Sequence, residues 1–258
     1  LKQKLKNSGH VFQTTSDTEV VLKGYVEWGE RCIEHFSGMF SIVVYDHKDG
    51  SLTLLRDHLG IKPLYYILND KEFIFASEIK AFFNYMPFSL NEDVLLEYIA
   101  FGSIQGEQTL VQKIKQLRPG HIARVARDLR FMTYRYFDLR ETYGQVSVFD
   151  TREIKEVVAR NIISHTRCDV GYGAQLSGGL DSSLITAIAS KNLNGFKTFG
   201  VSQLCDELDE SHYQMQVVKH YGTDHQNFKI DAHHYREDLV KSIWMYDYPN
   251  HHPSILPS

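Results

Sequence analysis

Cysteine is scarce: Cys32, Cys168 and Cys205 are the three in 258 residues, far apart and without a CxxC pair. An odd, scattered set argues against a disulfide framework and a thiolate zinc site, and it suits a reducing cytoplasm. Long apolar runs are missing too. Nothing approaches the roughly 18–20 residues that span a bilayer, so no membrane is expected. No block of Lys and Arg stands out and the formal net charge is −4, which argues against a dedicated nucleic-acid binder. Six prolines against 15 Tyr and 15 Phe exclude low-complexity disorder. Two nucleotide fingerprints fail: there is no GxxxxGK[ST], and Gly171-Tyr172-Gly173 lacks the third glycine of a dinucleotide loop. The chain also lacks an initiating methionine, a leader-like segment and a closing helix, so an internal fragment of a longer protein is expected.

What is present falls into two rhythms. Ser16-Asp17-Thr18-Glu19 has capping-box spacing, and Val21, Tyr25, Trp28, Cys32 and Phe36 follow at three- and four-residue steps. One helix with an apolar stripe is expected there, with Cys32 a buried, inert thiol. Past Gly38 the pattern turns strand-like over Met39–Tyr45 and Leu52–Arg56, split by the tight-turn pair Asp49-Gly50. Tyr65–Leu68 and Phe73–Ala76, split by Asn69-Asp70, repeat that hairpin logic. The first third therefore reads as a helix followed by an antiparallel meander. Asn91 is placed to cap a short helix that stops at Gly102. Asp150 with Glu153 opens another, with Ile154, Val157, Val158, Asn161, Ile162 and His165 on one face. Strands Gly173–Leu176, Lys197–Val201 and Asn227–Ile230 then alternate with helices Ser182–Lys191 and Glu210–His220, the pattern of a parallel sheet with crossover helices. Two architectures imply two domains, 1–140 and 141–258.

The string Leu176-Ser177-Gly178-Gly179-Leu180-Asp181-Ser182-Ser183 stands between a strand and a helix of the second part. Its glycines let the backbone turn sharply and approach a ligand without Cβ obstruction. Its serines supply hydroxyls, and the following helix offers free N–H groups to an anion. Such a concavity suits phosphate or pyrophosphate, at the strand end where parallel sheets bind ligands. Asp181 would repel a phosphate unless a cation came between, so a bridging Mg2+ is the expected metal. The histidine pairs His233-His234 and His251-His252 have no acidic partner at ligand spacing and are expected on the surface. Arg56 and Asp57 are expected to form a structural ion pair within a turn, not a catalytic dyad.

Ser177–Ser182 resembles the SGGxDS motif of the PP-loop ATP pyrophosphatases, and the flanking text resembles glutamine-dependent asparagine synthetase. Ser16–Glu19, Phe36-Ser37-Gly38-Met39-Phe40, Arg56-Asp57-His58-Leu59-Gly60-Ile61-Lys62-Pro63-Leu64-Tyr65-Tyr66 and Phe75-Ala76-Ser77-Glu78-Ile79-Lys80-Ala81 are similar to its glutaminase domain. Leu117-Arg118-Pro119-Gly120-His121 looks like the domain junction, and Asp209-Glu210 with Tyr213 and then Tyr221-Gly222-Thr223-Asp224-His225 like the stretch after the second strand. The resemblance implies a mixed α/β and α+β chain: the C-terminal part of an Ntn-type antiparallel β-sheet glutaminase domain, then the start of a parallel-sheet PP-loop domain of the adenine nucleotide alpha hydrolase-like class.

By that resemblance, Leu176 and Val201 flank the adenine of ATP, Ser177, Gly178, Gly179, Asp181 and Ser182 hold its phosphates, and Asp181 faces Mg2+. Asp17 binds the α-amino group of L-glutamine. The implied reaction is ATP-dependent conversion of L-aspartate to asparagine through an acyl-adenylate, with ammonia from glutamine and release of AMP and pyrophosphate. The N-terminal cysteine nucleophile of the family has no counterpart here, so no catalytic residue is assigned and this fragment alone is expected to be inactive. A homodimer is the family's state. Relatives that amidate a sugar carboxylate or close a lactam keep the chemistry and change the acceptor, and a non-catalytic relative keeps only the fold. A GMP synthetase or tRNA thiolase would lack the helix-and-meander first part.

Overall fold

The computed structural model describes residues 1–142, 150–193, 195–203, 209–230 and 232–249. The chain divides into two compact units, Leu1–Tyr143 and Gly144–Ser258. In the first, helices α1 (Lys2–Asn7) and α2 (Asp17–Trp28) precede strands β1 (Ser41–Asp46), β2 (Ser51–Arg56), β3 (Tyr65–Leu68) and β4 (Phe73–Ala76). Helix α3 (Leu95–Phe101) then leads to β5 (Lys115–Gln116), β6 (His121–Val125) and β7 (Phe131–Arg135).

Ser16 starts α2, its hydroxyl accepting from the Thr18 amide at 3.2 Å. The expected capping box is only half made. The Glu19 carboxylate reaches back past Ser16 and accepts from the amides of Gln13 (3.0 Å) and Thr14 (2.7 Å) and from the Thr14 hydroxyl (2.7 Å). The Gln13 amide, with Thr14 beside it, holds this carboxyl down at about 2. Nor is the apolar stripe one helix. Gly29, at φ 59°, stops α2, and a 3-10 helix continues over Gly29–His35. That tighter winding still buries Cys32 and Ile33.

The expected meander is corrected by two separate antiparallel sheets, ordered β1-β2-β6-β7 and β4-β3-β5. After β2 the chain leaves the first sheet, and β6 takes the free edge of β2, with Leu54 opposite Ala123. The departure is organised by Arg56 and Asp57, which do not form the expected ion pair. Arg56 donates to the carbonyls of Lys62 (3.0 Å), Gly60 (2.9 Å) and Leu117. Asp57 accepts from the amides of Phe40 (3.3 Å), Leu59 (3.2 Å), Ile61 (3.0 Å) and Lys62 (2.9 Å). A tight turn leaves more backbone groups than it can pair within itself, and the buried side chains of Arg56 and Asp57 satisfy those instead of each other. The β1–β2 connection is also longer than a two-residue Asp49-Gly50 turn: Asp46 pairs with Ser51 across residues 47–50, with Gly50 at φ 72°.

Alternation along β2 and β6 sorts the layers. Leu54, Ala123 and Val125 face Leu64, Tyr66 and Leu117 between the two sheets. Leu55 and Ile122 face the opposite way, onto Cys32, Ile33, Tyr25 and Trp28. Ile67 and Ile114 pack outward on Ile79 and Phe82. Asn91 precedes the 3-10 turn Glu92–Val94 that feeds α3, but its side-chain amide donates to the Thr109 carbonyl (3.1 Å) and caps nothing. Gly102, left-handed at φ 67°, ends α3.

In the second unit, Asp150 caps α4 (Thr151–His165), accepting from the Arg152 amide at 2.8 Å; Ile154 and Val157 on its apolar face stay exposed. There follow β8 (Gly173–Gln175), α5 (Leu180–Asn192), β9 (Lys197–Gln203), α6 (Ser211–Tyr221), β10 (Asp224–Ile230) and α7 (Ala232–Tyr246). The three strands form a parallel sheet ordered β10-β9-β8, with Gln175 opposite Phe199 and Phe228 opposite Val201. Cys205, His251 and His252 lie outside the described residues, as do the side chains of His233 and His234. No helix among the described residues is long and apolar enough to cross a membrane.

Candidate functional site

The turn between β8 and α5 is built on two anchors. Leu176 is 1% exposed, and its amide donates to the Phe199 carbonyl at 2.7 Å, which extends the parallel ladder one rung beyond β8. Gly178 then turns at φ 85°. A Cβ there would stand 2.7 Å from Tyr213 Cβ and 2.8 Å from the Gln214 amide nitrogen, so the turn rests directly on the first turn of α6 and only glycine fits. Gly179 is extended and caps α5, which begins at Leu180, two residues before the helix start expected from the sequence.

The serines bind the turn to itself. Ser182 Oγ accepts from the Ser177 amide (3.2 Å), meets Ser177 Oγ and lies 3.3 Å from the Gly179 carbonyl, to which it donates. The Gly179 amide donates to Ser177 Oγ at 3.3 Å. The first internal bond of α5 runs from the Ser183 amide to the Gly179 carbonyl (3.0 Å). The amides of Leu180, Asp181 and Ser182 carry no hydrogen bond among the described residues, and they stand at the positive end of the helix dipole. Ser177, Gly179, Leu180 and Asp181 are exposed, so this end of the sheet is open to solvent. Asp181 has no hydrogen bond or ion pair among the described residues. The arrangement can hold an anion on backbone amides, with one unengaged carboxylate at its rim.

Val201 is half-buried on β9, and its carbonyl accepts from Gln214 Nε2 at 2.9 Å. Strand pairing thus gathers Leu176 through Ser182 and Val201 at the carboxyl edge of the parallel sheet. Asp17 belongs to the first unit, where it is the first residue of α2. Because Ser16 does the capping, the exposed Asp17 carboxylate is left without a hydrogen bond among the described residues.

Sequence reasoning picked out Tyr213 only as part of a family-like stretch and missed Gln214, and the turn is seated on both. Nothing local marks Gln214, and the contact of both residues with Gly178 exists only once α6 folds back. Cys32 is fully buried, and burial pushes its thiol up to about 11, where it is neither nucleophile nor ligand at neutral pH. Among the described residues no three His, Cys, Asp or Glu side chains come together as a metal cage. A recess of about 500 Å3 lined by Tyr172, Leu193, Phe196 and Lys197 lies at the opposite, amino-terminal edge of the sheet.

Residues 1–159 match the family described as glutamine amidotransferase domain, and residues 153–258 match the family described as asparagine synthase. Asparagine synthetase [glutamine-hydrolyzing] 1 of Bacillus subtilis (strain 168) is 29% identical over 260 residues, covering 100% of this chain and 41% of that protein. Asparagine synthetase [glutamine-hydrolyzing] 3 of the same organism is 31% identical, covering 96% of this chain and 44% of that protein. A putative asparagine synthetase [glutamine-hydrolyzing] 2 of Methanocaldococcus jannaschii is 30% identical, covering 92% and 47%. The chain spans less than half the length of these curated relatives. With both parts matched in order, the chain belongs to the glutamine-hydrolysing asparagine synthetase family.

Proposed function

We propose that the protein containing this chain makes asparagine from aspartate, ATP and glutamine, with residues 1–140 in the glutamine amidotransferase domain of Ntn type and 141–258 in the PP-loop synthetase domain. The observation that carries the reading is the Ser177–Ser182 turn, whose open amides head α5 at the carboxyl edge of a parallel sheet.

In this reading the amides of Leu180, Asp181 and Ser182 bind the phosphate oxygens of ATP, and Leu176 and Val201 flank its adenine. Aspartate is a poor electrophile. Attack of its side-chain carboxylate on the α-phosphorus of ATP forms an acyl-adenylate and breaks the bond to the departing pyrophosphate, whose charge the same amides stabilise without reorganising. Ammonia then attacks the acyl carbon and AMP leaves. The fit of Mg2+ rests on Asp181, because a magnesium bound to nucleotide phosphates needs one or two carboxylates and not a full protein cage. Bound there, the metal would withdraw charge from the phosphate oxygens. Asp17 holds the α-ammonium of glutamine, for which its unengaged carboxylate is suited. Three scattered cysteines favour a reducing cytoplasm as the compartment.

The test is exchange of labelled pyrophosphate into ATP by the full-length protein. Exchange that requires aspartate is the expected result. Exchange driven by another acid overturns the acceptor, and failure to bind Mg-ATP overturns the reading as a whole.

A further inference from the structure

We infer that Gln214 is a positioning residue for the nucleotide, clamping the Val201 edge of β9 to the Ser-Gly-Gly turn, and that Gly200 is glycine in order to admit it. This rests on the ATP reading above.

Gln214 is 2% exposed, an unusual depth for an uncharged amide side chain. From α6 its Nε2 donates to the Val201 carbonyl on β9 at 2.9 Å, while its own backbone nitrogen lies 2.8 Å from where a Cβ on Gly178 would stand. One residue therefore touches both ends of the proposed site: the strand edge beside the base and the turn beneath the phosphates. Its room is made by Gly200. A Cβ on Gly200 would fall inside the van der Waals envelope of Gln214 Oε1 and 2.9 Å from Gln214 Cδ and His225 Cε1. Glycine inside a strand weakens it and marks a close approach, and the approach here is that of the Gln214 side chain.

The arrangement is not the one stability alone would select. Gln214 Oε1 is buried without a hydrogen-bond partner, and so is His225 Nε2; His225 Nδ1 lies 3.0 Å from Thr198 Oγ1, with which it pairs. Methionine would fill the same volume and remove the stranded Oε1, leaving the Val201 carbonyl without its Gln214 donor in exchange. What methionine cannot supply is the donor to Val201. The clamp fixes the spacing between base edge and phosphate turn, so the site needs less ordering when nucleotide arrives.

The experiment is calorimetric titration of Mg-ATP into the full-length protein, paired with its Tm. Q214M keeps the volume and removes the donor. Its Tm is expected to change little, one unpaired acceptor replacing another, while Kd for Mg-ATP weakens about fivefold, the worth of one neutral hydrogen bond. G200A displaces Gln214 and should lower both Tm and affinity. The double variant G200A/Q214A, relieved of the Gln214 clash while that with His225 remains, should regain part of the Tm without regaining affinity. The inference is overturned if Q214M binds Mg-ATP like the parent, or if affinity simply follows Tm across the three variants. A parent that does not bind Mg-ATP overturns the function reading instead.

Discussion

Ser177 and Ser182 meet hydroxyl to hydroxyl at 3.0 Å across the turn between β8 and α5. Ser182 Oγ also lies within reach of the Gly179 carbonyl at 3.3 Å and of the Ser177 amide at 3.2 Å, so the two hydroxyls and the backbone of the turn form one connected set of hydrogen bonds.

That coupling makes the two serines act as a unit. S182A removes the acceptor of the Ser177 amide and the bond to Gly179 together, and S177A breaks the same chain from its other end. Each should weaken Mg-ATP binding by the full-length protein roughly tenfold, and the double variant should be little worse than S182A alone. Titration of the four proteins checks this; additive losses would show the hydroxyls acting independently.

The neighbouring glycines should differ sharply. At Gly178 a methyl group meets Tyr213 and the Gln214 backbone, and φ is 85°. At Gly179 the nearest contact is Ser177 Oγ at 3.4 Å, and φ is −71°. G178A is expected to lose Mg-ATP binding and to lower Tm, whereas G179A keeps its fold and loses affinity only modestly. The two Tm values and two titrations decide it.

Asp57 predicts the acid behaviour of the first unit. Burial pushes its carboxyl up, but the amides of Lys62, Ile61, Phe40 and Leu59 pull it further down, so it titrates below the ordinary range. An unfolded Asp titrates near ~3.9. The stabilisation is therefore complete above about pH 4 and is lost as pH falls through the lower folded value. D57N should cost roughly 2–3 kcal/mol at neutral pH, and the gap in Tm between it and the parent should close as pH falls below the ordinary Asp range. A gap that stays constant on acidification would refute the assignment.

Asp17 and Ser16 separate binding from folding. S16A loses the cap and about 1 kcal/mol of helix stability, with KM for glutamine little changed. D17N removes a carboxylate that makes no hydrogen bond within the described residues, so Tm should hold while KM for glutamine rises tenfold or more in the full-length enzyme. Steady-state glutaminase kinetics and thermal melts check both.

Legibility in the sequence followed the range of the interaction. Tyr65–Leu68 and Phe73–Ala76 were readable to the residue because a local hairpin joins them. The meander failed because the second neighbour of β2 is β6, and no short-range pattern announces that Leu54 will lie beside Ala123. The Ser-Gly-Gly turn was readable since its glycines and hydroxyls are contiguous. Its support was not, because Gln214 reaches Val201 only through the packing of α6 on β9. Glu19 shows the same limit at small scale: spacing identified it as a capping partner, but Gln13 and Thr14, upstream of Ser16, supplied better donors.

The long excursion between β2 and β6 also bears on how the molecule is made. During synthesis β1 and β2 can close as a hairpin early, yet the outer rim of β2 must wait until the ribosome has delivered Val125 before its ladder is completed. Throughout that interval an apolar strand carries an unmet row of N–H and C=O groups, the surface on which nascent chains adhere to one another. The Arg56 guanidinium, whose acceptors include Leu117 far downstream, cannot be satisfied sooner either, so sheet closure and charge burial are timed by the same stretch of translation.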